Sequence, residues 1–172
     1  MSSLISKSLI KELIKIVSDA GSEIMNLYQT DFAIYLKKDD SPVTIADRNA
    51  NNVIEKGLVA LDTSIPILSE EGKNISYLSR KKWSNYWLVD PLDGTKEFIK
   101  KNNEFTVNIA LMENNLPIFG IVYAPASKTF FWGGKNVGAW RRDLDGEVCK
   151  IKVNKLINKT INLATSRSHP SE

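Results

Sequence analysis

Sulfur and imidazole are scarce in this chain of 172 residues, which holds one cysteine, Cys149, and one histidine, His169. A lone cysteine excludes an intrachain disulfide framework, and a lone histidine excludes a Cys/His zinc site built within one chain. Any metal bound here must be held by oxygen. Long apolar runs are also missing. The stretch from Ile118 to Val122 is interrupted by Gly120, and nothing approaches the roughly 20 residues that a membrane helix needs. The opening Met1-Ser2-Ser3-Leu4-Ile5-Ser6-Lys7 lacks both a continuous apolar core and a small-residue cleavage site, which argues against secretion and for a cytoplasmic location. Charge of one sign is not concentrated. The 23 Lys and Arg against 20 Asp and Glu leave a net +3, and the basic residues are dispersed apart from Lys37-Lys38, Arg80-Lys81-Lys82 and Lys100-Lys101. A nucleic-acid partner would require a concentrated basic face, so none is expected. Nor is there a repeat, a Pro-rich linker or a low-complexity tract.

What remains is ordinary globular composition, 42% hydrophobic and 25% charged, enough for one domain with a real core. Ile5, Leu9, Leu13, Ile16, Ala20, Ile24 and Leu27 recur every three or four residues, so the spacing predicts an amphipathic helix from Leu4 to Tyr28. Phe32 to Leu36 reads as a short strand, and residues 38–42 as a turn. Thr44 with Asp47 three residues on is a capping box opening a second helix through Ala46, Ala50, Val53, Ile54 and Leu58. Beyond Asp62 the pattern changes to short β-like runs at 66–69, 86–89, 105–112, 116–123 and 129–132. Glu113-Asn114-Asn115 is a hairpin turn between two of them, and Gly133, Gly134 and Gly138 signal another. Two helices followed by hairpin-linked strands imply an α+β fold, the helices packed on one face of a mostly antiparallel sheet. The polar stretch from Lys73 to Ser84 reads as a loop that could flap over a site. Ile161 to Thr165 reads as a buried strand.

The chemistry concentrates in Trp87-Leu88-Val89-Asp90-Pro91-Leu92-Asp93-Gly94-Thr95. An apolar strand delivers Asp90 to its end, Pro91 forbids further ladder pairing, and Asp93-Gly94-Thr95 supplies a turn that opens a helix. Two carboxylates on one bend, with the Leu92 carbonyl between them, suit a hard cation such as Mg²⁺. The Gly94 and Thr95 amides stand ready for an anion beside it. Asp-Pro and Asp-Gly are also common turn dipeptides, so a purely local role stays open. Ser69-Glu70-Glu71-Gly72 adds acids after a second β-like run, which is how an oxygen-ligated two-metal site is assembled, although a solvated loop reads the same way. An aspartyl-phosphate mechanism would need an aspartate two residues before Asp93, where Pro91 stands. Water activated by a metal and a nearby base remains.

This motif, joined to Leu68-Ser69-Glu70-Glu71, resembles the signature of the Mg²⁺-dependent, lithium-sensitive inositol monophosphatase superfamily. Lys96-Glu97-Phe98-Ile99, Glu104-Phe105-Thr106-Val107-Asn108-Ile109-Ala110-Leu111 and Ser166-Arg167-Ser168-His169 are similar to its bacterial 3′(2′),5′-bisphosphate nucleotidase branch. The resemblance implies a phosphomonoesterase that removes the 3′-phosphate of adenosine 3′,5′-bisphosphate in sulfate assimilation, with inositol monophosphate as the alternative substrate. It makes Glu70, Asp90, Asp93 and the Leu92 carbonyl the ligands of two or three Mg²⁺ ions. It assigns water activation to Thr95 paired with Asp47, and phosphate contact to Glu70, Leu92, Asp93, Gly94 and Thr95. Bottom-up, Asp47 can equally be a helix-opening acid, and the Thr95 hydroxyl an N-cap.

The resemblance also implies a C-terminal α/β domain carrying a further metal ligand, which nothing after Ser166 is expected to supply. On this reading residues 1–172 are the N-terminal α+β half. The second metal is then expected to bind weakly, with the other half, a second chain or a homodimer as conceivable partners. A non-catalytic metal-binding fragment is the competing reading, and some relatives imply a peripheral place at the inner face of the cell membrane. Of the remaining residues, Cys149 reads as a packed strand residue, His169 as exposed, and Trp83, Trp87, Trp132 and Trp140 as core or sheet-face aromatics. Arg80-Lys81-Lys82 reads as a solvated loop, with attraction of a bisphosphate as the second reading.

Overall fold

The computed structural model describes residues 5–30, 34–36, 42–153 and 165. Helix α1 spans Lys7–Tyr28 and starts where the Ser6 hydroxyl accepts from the Leu9 amide at 3.1 Å. Strands β1 (Ile34–Leu36) and β2 (Pro42–Thr44) form a small antiparallel ribbon, and α2 (Ile45–Leu61) follows directly. Then come β3 (Ile67–Ser69), the one-turn α3 (Tyr77–Arg80), β4 (Asn85–Asp93) and the short α4 (Thr95–Ile99). Strands β5 (Thr106–Glu113), β6 (Leu116–Ala124), β7 (Thr129–Gly134), β8 (Gly138–Arg142) and β9 (Val148–Ile151) complete the chain order. The main sheet runs β3-β4-β5-β6-β7-β8-β9, parallel only between β3 and β4. This is the α+β arrangement expected from the sequence, and no described helix is long and apolar enough to cross a membrane.

Period-two alternation builds the core. Trp87, Val89, Val107, Ile109, Leu111, Phe119, Ile121 and Tyr123 point to one face, where they meet Leu13, Val17, Ala20 and Ile24 of α1 and Ala50, Ile54 and Leu58 of α2. Gly21 allows the approach of α1 to the sheet: a Cβ there would lie 2.4 Å from the Tyr123 ring. The hairpin between β5 and β6 turns through Asn114 and Asn115 at φ 49° and 64°, left-handed values that asparagine tolerates and the hairpin twist demands.

The opposite face is apolar too, with Leu88, Val122 and Phe131 exposed at 42%, 38% and 37%. A solvated sheet face ordinarily alternates to polar residues.

Three expectations need correcting. Strand β4 does not stop at Pro91 but runs to Asp93, because the ladder shifts between Asp90 and Asp93 and the missing proline amide falls where no regular pair forms. Residues 73–84 are not all loop, since Ser76 caps α3. Cys149 lies in a strand as expected but is exposed rather than packed, because β9 is the edge of the sheet. The strand expected at 161–165 and His169 lie outside the described residues, apart from the exposed Thr165.

Candidate active site

Parallel pairing of β3 with β4 sets Ser69 beside Val89, and the Glu70 amide donates to the Val89 carbonyl at 3.1 Å. Strand β3 therefore ends beside Val89 of β4, bringing Glu70 and Asp90 to one cavity of about 500 Å³ that Asn108, Arg80 and Val122 also line. The turn after β3 is tethered to α2. Ser69 donates its hydroxyl to Asn51 Oδ1, Asn51 Nδ2 donates to Glu55 Oε1 at 3.1 Å, and the Gly72 amide returns to the Ser69 carbonyl at 3.2 Å.

After Asp93 the chain must reverse into α4, and Gly94 makes this possible. Its φ is +92°, and a Cβ would lie 2.8 Å from the Glu104 carbonyl oxygen. Gly94, not Thr95, is the N-cap of α4, and it offers no side-chain cap. The Thr95 hydroxyl lies instead 3.1 Å from Asp47 Oδ1 and 3.2 Å from the Leu92 carbonyl oxygen, a donor placed between two acceptors.

Asp47 is 2% exposed, and its carboxylate is held from behind by the capping box. Its Oδ2 accepts from the Thr44 amide at 2.7 Å and from the Thr44 hydroxyl at 2.6 Å. The carboxylate thus faces two ways: Oδ2 closes the capping box that opens α2, while Oδ1 faces the Thr95 hydroxyl. Fixed donors on Oδ2 hold the carboxylate in one orientation, with Oδ1 aimed at Thr95.

Asp93 is exposed and accepts from Asn108 Nδ2 at 3.1 Å. The structure thus brings together Asp47, Thr95 and Leu92 as one group, and Glu70 and Asp90 as another. Among the described residues, no three His, Cys, Asp or Glu side chains already form a cation cluster. The donors nonetheless fit a hard divalent cation. They are all oxygen, and Asn108 Oδ1 is a buried acceptor that no described hydrogen bond satisfies. Asn51 and Asn108 escaped the sequence reading. Asn51 lies one helical turn beyond Asp47, a spacing that could have found it, whereas Asn108 needed the register of β5.

Helices lie on one face of a mixed sheet, with acids gathered where β3 and β4 adjoin and a hydroxyl–carboxylate pair between α4 and α2. The model of the inositol monophosphatase family matches residues 6–172, and the chain belongs to that family. It is 41% identical over 168 residues to the 3′(2′),5′-bisphosphate nucleotidase CysQ of Buchnera aphidicola, covering 96% of this chain and 62% of that protein. With the CysQ of Salmonella typhimurium it shares 45% over 137 residues, 78% of this chain and 55% of that one. Among solved structures, CysQ from Bacteroides thetaiotaomicron matches at TM-score 0.70 and 42% identity, over 82% of this chain and 51% of that chain. An IMPase of Thermotoga maritima matches at TM-score 0.74 and 25% identity, over 87% and 55% respectively. The chain thus spans a little over half the length of the relatives it matches.

Proposed function

We propose that this chain carries the metal- and phosphate-binding half of a Mg²⁺-dependent phosphomonoesterase that converts adenosine 3′,5′-bisphosphate to AMP and phosphate, in sulfate assimilation. The observation that carries the reading is the Thr95 hydroxyl held between Asp47 and the Leu92 carbonyl across 48 residues of sequence. The kinship with CysQ supports the choice of substrate.

Glu70, Asp90, Asp93 and the Leu92 carbonyl are the proposed ligands, with Glu70, Leu92, Asp93 and the Gly94 and Thr95 amides facing the phosphate. When bound, Mg²⁺ supplies positive charge that polarises the phosphoryl oxygens and stabilises the departing one. Thr95 orients a water, takes its proton and passes its own to Asp47, whose Oδ2 is already committed to Thr44 and so leaves Oδ1 as the receiving atom. The water oxygen attacks phosphorus, the bond to the 3′-oxygen breaks, and that oxygen leaves with the electron pair and takes a proton from solvent water, while Asp47 returns its proton to solvent.

The test is phosphate release from adenosine 3′,5′-bisphosphate and from inositol monophosphate, with Mg²⁺, with EDTA and with Li⁺. Mg²⁺-dependent, Li⁺-inhibited release that is faster from the bisphosphate supports the proposal. Faster release from inositol monophosphate overturns the substrate, and release that persists in EDTA overturns the mechanism.

A further inference from the structure

One polar side chain on the outer face of the sheet has no part in the chemistry above. Asn108 lies directly opposite Asp90 in the β4–β5 ladder, so the two side chains leave the same face, away from the helices. It lines the cavity that Glu70 and Asp90 share. Its Nδ2 donates to Asp93 Oδ2 at 3.1 Å, reaching across the register shift that separates the two aspartates. Its Oδ1 is buried and satisfied by no described hydrogen bond, while its next neighbour across the ladder is the apolar Val122. Flipping the amide would only set Oδ1 against the Asp93 carboxylate. A buried acceptor left open in this way is rare and calls for a donor.

We propose that Asn108 is a positioning residue of the cation site. Its Nδ2 fixes the Asp93 carboxylate, and its Oδ1 accepts from the hydration of the divalent cation that Asp90 and Asp93 hold. This rests on the reading of the site as a Mg²⁺-dependent phosphatase. Magnesium and manganese keep several waters when protein carboxylates bind them, and a neutral amide serves those waters without competing as a charge. Leucine here would release Asp93. Aspartate would set a third carboxylate against the other two.

The experiment is Mn²⁺ titration of the 172-residue chain by calorimetry, with melting curves in the presence and absence of Mn²⁺. The wild type binds, and Asn108→Ala weakens binding about tenfold or more, the usual effect of losing an outer-shell partner. The nearly isosteric Asn108→Asp lowers the melting temperature of the metal-free chain and shows a larger rise on adding Mn²⁺ than the wild type. A purely structural asparagine would move neither the affinity nor the metal-induced rise. Wild-type affinity and an unchanged rise in both variants overturn the role of Asn108 and leave the metal reading standing. If Asn108→Ala does not fold, Asn108→Asp decides alone. A wild type that binds no Mn²⁺ overturns the metal reading and Asn108 with it.

Discussion

Asp47→Ala and Asp47→Asn disturb the same carboxylate in different ways, and the structure separates their effects. Removing the carboxylate strands the amide and the hydroxyl of Thr44, a residue with no exposed surface that cannot turn to water. Each stranded donor costs about 1–3 kcal/mol. Relief from burying a charge offsets part of this. Thr95 contributes little to the loss, because its hydroxyl falls back on the Leu92 carbonyl at 3.2 Å. The net loss for Asp47→Ala is about 3 kcal/mol, or roughly 6–12 °C in melting temperature for a chain of this size. Asparagine behaves differently. Its oxygen still serves both donors of Thr44, which leaves Nδ2 facing Thr95, so the loss is about 1 kcal/mol from exchanging charge-assisted bonds for neutral ones. Thr95 must then accept from residue 47 and can donate only to Leu92, so the proton has nowhere to go and turnover falls by about 10²–10⁴. Guanidinium denaturation and phosphate release measure the two effects. The reasoning is refuted if Asp47→Ala costs less than about 1 kcal/mol, or if Asp47→Asn keeps turnover within about threefold of wild type.

Gly94→Ala forces a side chain into a left-handed conformation and against the immovable Glu104 carbonyl, and should cost about 3 kcal/mol by chemical denaturation. Tyr123 is buried, which pushes its phenol above the ordinary 10.0, the nearby Arg142 pulling weakly the other way. The folded state favours the neutral phenol, so this contribution to stability is full below pH 10.0 and is lost as pH rises through the raised value. Tyr123→Phe should flatten the alkaline fall in denaturation midpoint; an unchanged fall would assign it to other groups. The apolar outer face around Leu88, Val122 and Phe131 should bind an anilinonaphthalene dye, and Leu88→Lys should reduce the fluorescence without shifting the melting temperature.

Much of the fold was legible because its signals are local. The apolar spacing of α1, the Thr44–Asp47 capping box and the Asn114-Asn115 turn each satisfy backbone or burial demands within a few residues, and each stands where the sequence placed it. The pairing of Thr95 with Asp47 was legible only through a family resemblance, since 48 residues separate them. Sheet order was not legible, so Cys149 was expected to pack although β9 is an edge. The continuation of β4 through Pro91 depends on a register shift with β5 that no local pattern encodes. Asn108 and the Asn51–Ser69 tether share that property, because their partners come from other elements.

The central claim is that strand-end carboxylates hold the cation that the phosphate chemistry uses, and Asp93→Asn tests it most directly. The substitution keeps the shape and, with its oxygen toward Asn108, the hydrogen bond from Nδ2, while removing the charge. Phosphate release from adenosine 3′,5′-bisphosphate at saturating Mg²⁺ should be measured for the wild type and the variant side by side. In the full-length context that joins this half to its remainder, the account requires Mg²⁺-dependent release by the wild type that the variant loses by about a hundredfold or more. Release by the variant at the wild-type rate contradicts it.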